Sequence, residues 1–400
     1  MAERRCPADG QRCPFASTAA TGDVHLLATT NGGLEAVAAA ELAELVGADA
    51  TVHHRGVVEF EGSVDDVYAL LASSRTCHRV LEVLADGRVE DLEGIYDRAR
   101  GVDLARHLPF ADFGVVGTRH GDHGFTSVDV ADRVGQAVID GYREATGDRL
   151  PVDLDDPTVR LEAYLYDDRF TLAVDLTGDS LHRRPYRVCT HDAPLRATMA
   201  ASMLRLASYT SGDRLVDPMA GSGTVPIEAA LAATDSPPRP ELDPALAALP
   251  RYDVATFQDR LAGLDRRDAP PSDLDLDLDL DLNLNLDLDL EARDRRERWC
   301  RCARVNRDAA GLSEVVEVVR ADAREATLEA DCVVVNLPFG IRVSEDLREL
   351  YRTFADRLRE GGVDRLVALT TKPEFLPLEP RERYELPYGR LDATILVCEP

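Results

Sequence analysis

An acid followed by two glycines stands where an apolar strand passes into an apolar helix. The segment reads Asp-Pro-Met-Ala-Gly-Ser-Gly-Thr over 217–224, directly after Leu215 and Val216. Because glycine carries no Cβ, such a turn lets a ligand approach the backbone amides closely, at the positive end of the following helix. The candidate binding residues of this turn are Asp217, Gly221, Ser222 and Gly223.

A second segment, Asn-Leu-Pro-Phe-Gly over 336–340, closes another apolar strand. The side-chain carbonyl of Asn336 and the backbone carbonyl of Leu337 can accept the two hydrogens of a planar amine. Pro338 fixes the turn, and the ring of Phe339 can stack on the amine's own ring. Such an amine is a poor nucleophile because its lone pair is delocalised. Accepting both hydrogens favours a pyramidal nitrogen, so the segment predicts group transfer to an amine, mainly by positioning. A buried turn with a packed Phe is the alternative.

The glycine turn alone is compatible with several nucleotide-like ligands. Pro226 replaces the third glycine of a G-x-G-x-x-G turn, and no Gly-Lys-Ser/Thr of a phosphate-binding loop follows. Two more acids follow predicted strands: Asp294, before an arginine-rich helix, and Asp322, after the strand at 315–319. Acids in that register can accept from ribose hydroxyls and from an adenine amine. In so acidic a chain, the alternative is that both are ordinary solvated residues.

Alternating strands and helices from residue 193 onward predict the platform that positions these segments. The pattern indicates helices at 195–208, 224–233, 297–311 and 345–360, and strands at 214–217, 315–319, 332–336, 366–371 and 393–398. This order predicts an α/β fold with a doubly wound, mostly parallel sheet, whose ligand lies beyond the carboxyl ends of the strands. Before it, the chain predicts a tail at 1–22 and two α+β modules.

Residues 234–290 interrupt the alternation. The first part is rich in proline and acid, and residues 273–290 alternate Asp or Asn with Leu. We expect a disordered or poorly ordered surface insertion, of which only the end enters a strand. A calcium site is the alternative, but the segment lacks the glycine and terminal glutamate of an EF-hand loop.

The chain is strongly acidic. Its formal charge is −27, from 73 acids against 46 bases, and Lys372 is the only lysine. This composition is typical of a salt-adapted, halophilic protein. Net charge does not exclude a nucleic-acid partner, because the Debye length falls to about 3 Å in molar salt. No apolar run reaches about 18 residues and the N-terminus is a poor signal peptide, so we expect no membrane association and a cytoplasmic location.

Eight cysteines are present, but their spacing does not form a metal-binding pattern. No Cys-x-x-Cys pair occurs, and Cys300 and Cys302 are two apart on a predicted helix, so they point in different directions. We therefore expect no metal, and free thiols in a reducing compartment.

Taken together, these motifs resemble those of the THUMP-domain-containing RNA guanine-N2-methyltransferases, S-adenosylmethionine-dependent enzymes. The resemblance extends to the N-terminal half and covers about 24–400 apart from the insertion. It is carried there by SSRTCHRV (73–80), HGFTSVDVADRVGQAVID (123–140), DLTGDSLHRRPYRV (175–188) and APLRATMAASML (193–204). Two departures are Met219–Ala220 in the first turn, and an Asp-Leu repeat where a glycine-bearing strand usually precedes Asp294.

The resemblance implies a ferredoxin-like domain at 24–108, a THUMP RNA-binding domain at 109–190 and a Rossmann-like class I methyltransferase domain at 191–400. It implies S-adenosylmethionine as cofactor, held by Asp217, the glycine turn, Asp294, Asp322 and Asn336. It also implies an enzyme that forms N2-methylguanine in RNA, with no obligate protein partner. Leu337 favours the archaeal type that acts on guanine-6 of the tRNA acceptor stem.

Arginines of the N-terminal half are the candidate RNA contacts, because guanidinium groups bind phosphates bidentately and stack on bases. They are Arg75, Arg79, Arg119, Arg183, Arg184 and Arg187. Surface ion pairing with the excess acid is the alternative for each. Other interpretations of the whole chain are an N2-guanine methyltransferase of 23S rRNA or another tRNA site, a DNA-adenine or protein-glutamine methyltransferase, and a non-catalytic RNA-binding protein.

Overall fold

The fold is described from a computed structural model. The structure describes residues 23–108, 111–190, 194–240, 244–265, 288–338, 344–389 and 391–400. The predicted tail at 1–22, the residue Phe339 and most of the Asp-Leu repeat at 273–290, namely residues 273–287, lie outside the described residues. Within these ranges, no helix is both long enough and apolar enough to cross a membrane.

The chain forms two compact units. Among the described residues, the smaller unit comprises Leu84–Val174 and Ala245–Val254, and the larger unit comprises Val24–Val83, Asp175–Pro244 and Ala255–Pro400.

The N-terminal part of the larger unit is a small α+β module, as the sequence predicts. Strand β1 pairs antiparallel with both β3 and β4, and β2 pairs with β3. Helix α2 begins at a capping box in which Ser63 and Asp66 satisfy each other's backbone amides. The elements are β1 (Val24–Thr29), α1 (Glu35–Val46), β2 (Thr51–His54), β3 (Val57–Gly62), α2 (Val64–Ser73) and β4 (Arg79–Arg88).

The smaller unit is built around the long helix α5. A second capping box, between Thr126 and Asp129, starts this helix, and Gly147 in the left-handed conformation (φ 83°) ends it. Strand β5 pairs parallel with β6, and β6 pairs antiparallel with β7. The elements are α3 (Leu92–Arg100), α4 (Leu104–His107), β5 (Phe113–His120), α5 (Ser127–Thr146), β6 (Val159–Tyr166) and β7 (Arg169–Asp175).

The predicted doubly wound sheet is confirmed in the larger unit. Its strand order is β10-β9-β8-β11-β12-β14-β13, parallel from β10 to β12 and antiparallel at the β14 and β13 edge. The elements are α6 (Ala197–Leu206), β8 (Leu215–Asp217), α7 (Thr224–Ala233), α8 (Val254–Asp265), β9 (Leu290–Asp294), α9 (Glu297–Ala309), β10 (Val316–Arg320), β11 (Cys332–Asn336), α10 (Ser344–Glu360), β12 (Arg365–Thr370), β13 (Pro380–Tyr388) and β14 (Leu391–Cys398).

Both faces of this sheet are buried. Val333 and Val335 of β11 belong to one apolar cluster and Cys332 and Val334 to the other. Because successive residues of a strand point to opposite faces, a continuous apolar run such as Val333–Val335 suits a sheet covered on both sides. Strand β13 was not predicted, because its residues are largely exposed and read as polar.

The expectation of a disordered insertion is wrong for residues 244–265. A 3₁₀ turn forms at Ala245–Ala248 and helix α8 at Val254–Asp265. Phe257 is fully buried, with its ring centroid 6.2 Å from that of Tyr68, and Leu261 is buried one helical turn later. These two apolar residues, four apart, form one helix face. Composition therefore concealed a short amphipathic segment.

Candidate active site

The glycine turn leads from β8 into α7 and is hydrogen-bonded to the end of β9. The backbone N–H of Ala220 donates to the carbonyl oxygen of Arg293 at 2.8 Å, and the N–H of Gly221 donates to Asp294 Oδ2 at 3.2 Å. Gly221 and Gly223 have φ of 54° and 82°, the left-handed region that glycine tolerates. A Cβ on Gly223 would lie 3.1 Å from the Cβ of Ala303 on α9. Backbone conformation and helix packing both require glycine here.

Asn306 supports this turn from α9. Its side chain is buried, and Nδ2 donates to the carbonyl of Ser222 at 3.0 Å and to that of Cys189 at 2.8 Å. Its Oδ1 accepts from the N–H of Cys189 at 2.8 Å. Ser222, a predicted cofactor contact, is therefore held through its backbone carbonyl. Sequence reasoning missed Asn306, because a lone asparagine in an arginine-rich helix carries no motif.

The expectation of free thiols is wrong for one pair of cysteines. Cys189 and Cys302 form a disulfide, with 5.4 Å between their Cα atoms. Their separation of 113 residues hid the pair, since spacing alone does not report which segments the fold brings together. The disulfide joins the segment that contains Cys189 to α9, the same two segments that the hydrogen bonds of Asn306 connect.

Among the described residues, no group of three or more His, Cys, Asp or Glu side chains is arranged to hold a metal ion.

Asp217, which is buried, and Asp294, which is half-buried, form an acidic spot at the glycine turn. Burial raises the pKa of the Asp217 carboxyl to about 8; the N–H of Met219 at 3.1 Å partly opposes this, and the charge of Asp294 adds to it. Asp294 accepts from the N–H of Arg296 at 2.8 Å and from that of Gly221. A carboxylate oxygen has more than one acceptor site, so both acids can still accept from a ligand. The spot suits a cationic group and hydroxyl donors.

Asn336 ends β11, next to β8 in the sheet. Its Oδ1 is buried and has no hydrogen-bond partner among the described residues. A buried acceptor without a partner is rare in native proteins, and its unpaired state costs free energy. The next two residues are fixed: the N–H of Leu337 donates to the carbonyl of Leu369 at 2.9 Å, and the carbonyl of Pro338 accepts from the Tyr351 hydroxyl at 3.3 Å. The backbone that follows Asn336 is thus fixed, and the buried Oδ1 is chemically able to accept from a donor of a ligand.

The carboxyl ends of these parallel strands bring the predicted residues together at one edge. Strands β8 and β11 are neighbours, and their register puts Val333 opposite Val216, so Asn336 lies two residues beyond the level of Asp217 on the next strand. With about 4.8 Å between strands and about 3.3 Å per residue along a strand, their Cα atoms are about 8 Å apart. Asp294 and Asp322 follow the next two strands. Asp322 already pairs with Arg324, at 2.6 Å between Oδ2 and Nη2, and this arginine lowers its pKa.

Four of the six candidate RNA-binding arginines have internal partners instead. Arg75 donates to the carbonyl of Leu231 at 2.7 Å, Arg79 pairs with buried Asp175, and Arg187 donates to the carbonyl of Leu195 at 2.8 Å. Arg184 is fully buried in a two-bonded ion pair with Glu228, each bond 3.0 Å long. Sequence alone does not separate an exposed arginine from one buried against a distant acid.

The other two arginines are more accessible. Arg183 is exposed and pairs at 3.0 Å with Asp179, four residues earlier in the chain. Arg119, in the smaller unit, is half-buried and donates to the carbonyl of Gly121 at 2.7 Å. Weak surface contacts of this kind can be exchanged for contacts to phosphate.

Three known domain families match the chain in sequence. The RlmL ferredoxin-like domain matches residues 25–81, the THUMP domain matches residues 89–175, and the RMKL-like methyltransferase domain matches residues 184–379. The last range contains the glycine turn and the strand ends that carry Asp294, Asp322 and Asn336.

Relatives agree with these matches. The chain is 32% identical over 368 residues to a tRNA (guanine(6)-N2)-methyltransferase of Archaeoglobus fulgidus, over 87% of this chain and 83% of the relative. It is 31% identical over 394 residues to the ribosomal RNA large subunit methyltransferase K/L of Syntrophotalea carbinolica, over 93% of this chain and 53% of that protein. The crystal structure of SMU.472, a putative methyltransferase complexed with SAH, shares the fold, with a TM-score of 0.80 and 23% identity over 94% of this chain and 98% of that chain. The 32% identity to the Archaeoglobus fulgidus enzyme extends over most of both proteins, and the domain matches agree with it. The chain therefore belongs to the THUMP-domain family of S-adenosylmethionine-dependent RNA methyltransferases.

Proposed function

We propose that this protein methylates the N2 amine of guanine-6 in the tRNA acceptor stem. The observation that carries the proposal is the buried Oδ1 of Asn336, an acceptor without a partner at the end of β11. An exocyclic amine supplies the missing donor. The relative in Archaeoglobus fulgidus, named for that reaction, supports the choice of nucleotide.

Asp217 and its neighbours fit the proposed cofactor. S-adenosylmethionine supplies an electrophilic methyl group on its sulfonium when bound. Asp217 would accept from the cofactor's ammonium group, and Asp294 from its ribose hydroxyls. Asp322 would accept from the adenine amine, sharing its carboxylate with Arg324. The two glycines keep the turn free of side-chain bulk, so backbone amides can approach the ligand.

Asn336 and Leu337 would orient the acceptor. Their carbonyl oxygens hold the two hydrogens of the guanine amine, which directs the nitrogen lone pair away from the base plane. Pro338 and the hydroxyl of Tyr351 keep this turn rigid. Phe339 is proposed as the stacking partner of the base. Because the acceptors are fixed beforehand, little reorganisation remains when the amine arrives.

RNA docking is proposed to involve the N-terminal domains, with boundaries at 24–108 and 109–190 and the methyltransferase domain at 191–400. Arg119 and Arg183 remain the accessible candidates of the original six. We further propose that the enzyme acts in the cytoplasm, on tRNA, in a cell with high internal salt, in line with its charge of −27.

A second candidate substrate is a guanine of large-subunit ribosomal RNA. It is favoured by the relative named for that activity, which matches 93% of this chain. The chain spans about half the length of that relative.

The test is methyl incorporation in molar KCl into three RNAs: a tRNA transcript, the same transcript with inosine at position 6, and a large-subunit rRNA fragment. Inosine lacks the N2 amine but keeps the rest of the purine. We expect methylation of the first RNA only. Equal incorporation into the inosine transcript would refute the assigned atom, and incorporation into rRNA alone would establish the second candidate.

A further inference from the structure

A basic cavity lies where β9 and β10 end. It has a volume of about 680 Å³ and is lined by Arg295, Arg296, Arg320, Ala321, Asp322 and Glu325. The three arginines are exposed. Arg320 Nε donates to the carbonyl of Arg295 at 3.3 Å, which leaves the terminal nitrogens of its guanidinium to face a ligand.

These three arginines differ from their neighbours in charge pairing. Nearby, Arg293 pairs with Glu291 at 2.6 Å and Arg304 with Glu297 at 3.1 Å. By contrast, Arg295, Arg296 and Arg320 form no ion pair with any carboxylate in the part of the chain that the structure describes. In a chain of charge −27, pairing partners are abundant. Asp322 and Glu325 line the same cavity, but neither forms an ion pair with these three arginines, and the surplus of positive charge favours an anionic ligand.

The cofactor does not account for this charge. S-adenosylmethionine carries a sulfonium, an ammonium and a carboxylate, so its net charge is positive. Extra cations beside its adenosyl end would give no attraction. Asp322, which the proposed function assigns to the adenine amine, lines the same cavity as the three arginines.

We propose that Arg295, Arg296 and Arg320 bind a backbone phosphate of the substrate RNA. The planar guanidinium fork matches phosphate oxygens bidentately, which favours arginine over a point charge. Three strand spacings separate the end of β10 from that of β11, about 14 Å in all. An RNA strand whose guanine reaches Asn336 can therefore place a nearby backbone phosphate in the cavity.

Direct arginine–phosphate contacts matter most for RNA affinity at high salt. With a Debye length near 3 Å, diffuse charge attraction contributes little, and only direct contacts remain strong. A cavity that offers several guanidinium groups to one phosphate provides such contacts.

The inference rests on the proposed function for its RNA. Its test compares Arg296→Gln/Arg320→Gln with a control of equal charge change, Arg383→Gln/Arg359→Gln, whose arginines pair on the surface with Glu385 and Asp356. Binding of a fluorescent tRNA transcript is measured by anisotropy at several KCl concentrations. S-adenosylmethionine affinity is measured by calorimetry on each full-length protein.

We expect the cavity variant to bind tRNA at least 10-fold more weakly, with the slope of log affinity against log salt reduced by about one to two. The control variant should match wild type, and all three proteins should bind S-adenosylmethionine equally, which also reports correct folding. Unchanged tRNA affinity in the cavity variant would overturn the inference about these arginines. It would leave the proposed function intact, because methylation by the wild-type protein does not depend on that result. Loss of cofactor affinity alone would reassign the cavity to the adenosyl group. A wild type that binds no RNA would overturn both proposals.

Discussion

Replacing Arg184 by Met should destabilise the protein by about 3–5 kcal/mol, the usual result of breaking a buried ion pair by removing one partner. The side chains of Arg184 and Glu228 are both fully buried, and two hydrogen bonds of 3.0 Å join them. Methionine fills a similar volume but leaves the Glu228 carboxylate with the hydroxyl of Tyr186, at 2.8 Å, as its remaining bond from this cluster. An uncompensated buried charge is the dominant cost.

The matched control is the double variant Arg184→Met/Glu228→Gln. Glutamine keeps an acceptor for Tyr186 and removes the charge, so the double variant should be more stable than the sum of the two single changes predicts. Urea unfolding in 2 M KCl, followed by tryptophan fluorescence and circular dichroism, gives the free energies of all four proteins. A stable Arg184→Met protein that binds tRNA poorly would refute this reasoning, because it would mean that Arg184 contacts RNA.

Three further predictions concern the turn, the acceptor loop and the disulfide. Because burial raises the pKa of Asp217 to about 8, and a bound ammonium favours its carboxylate, cofactor affinity should rise with pH until about 8 and then level off; calorimetry showing equal affinity at pH 6 and 9 would contradict this. Tyr351→Phe should slow methyl transfer with unchanged cofactor affinity and cost about 1 kcal/mol of stability, because the Pro338 carbonyl loses its hydroxyl donor; single-turnover rates equal to wild type would count against it. Alkylation of the unfolded, unreduced protein should leave Cys189 and Cys302 unmodified by mass spectrometry, and labelling of both would exclude the bond.

The residues at the strand ends were predictable from sequence. Asp217 and Asn336 each end an apolar strand, Asp294 ends the strand that follows the Asp-Leu repeat, and parallel strands place their carboxyl ends at one edge. The structure places them at that edge. The local strand pattern alone was enough to predict this, without knowing which distant segments pack together. Their roles toward a cofactor and a base remain predictions.

Residues whose roles depend on a distant partner were not predictable. Arg184 looks like other arginines until the fold places Glu228, 44 residues later, against it. Asn306 and the Cys189–Cys302 bond likewise depend on how α9 packs on the glycine turn. The helix at 254–265 was hidden because the acidic repeat beside it dominates the composition.

The central claim is that the carbonyl oxygen of Asn336 orients the amine that is methylated. Its most direct test is single-turnover methyl transfer to a tRNA transcript by wild type, Asn336→Ala and Asn336→Asp, with S-adenosylmethionine affinity measured on the same proteins. Aspartate keeps an acceptor at Oδ1, whereas alanine removes it. We expect Asn336→Ala to lose about 10²–10³-fold in rate, Asn336→Asp to retain measurable transfer, and cofactor affinity to stay within a few-fold in both. Transfer by Asn336→Ala at the wild-type rate would contradict the account.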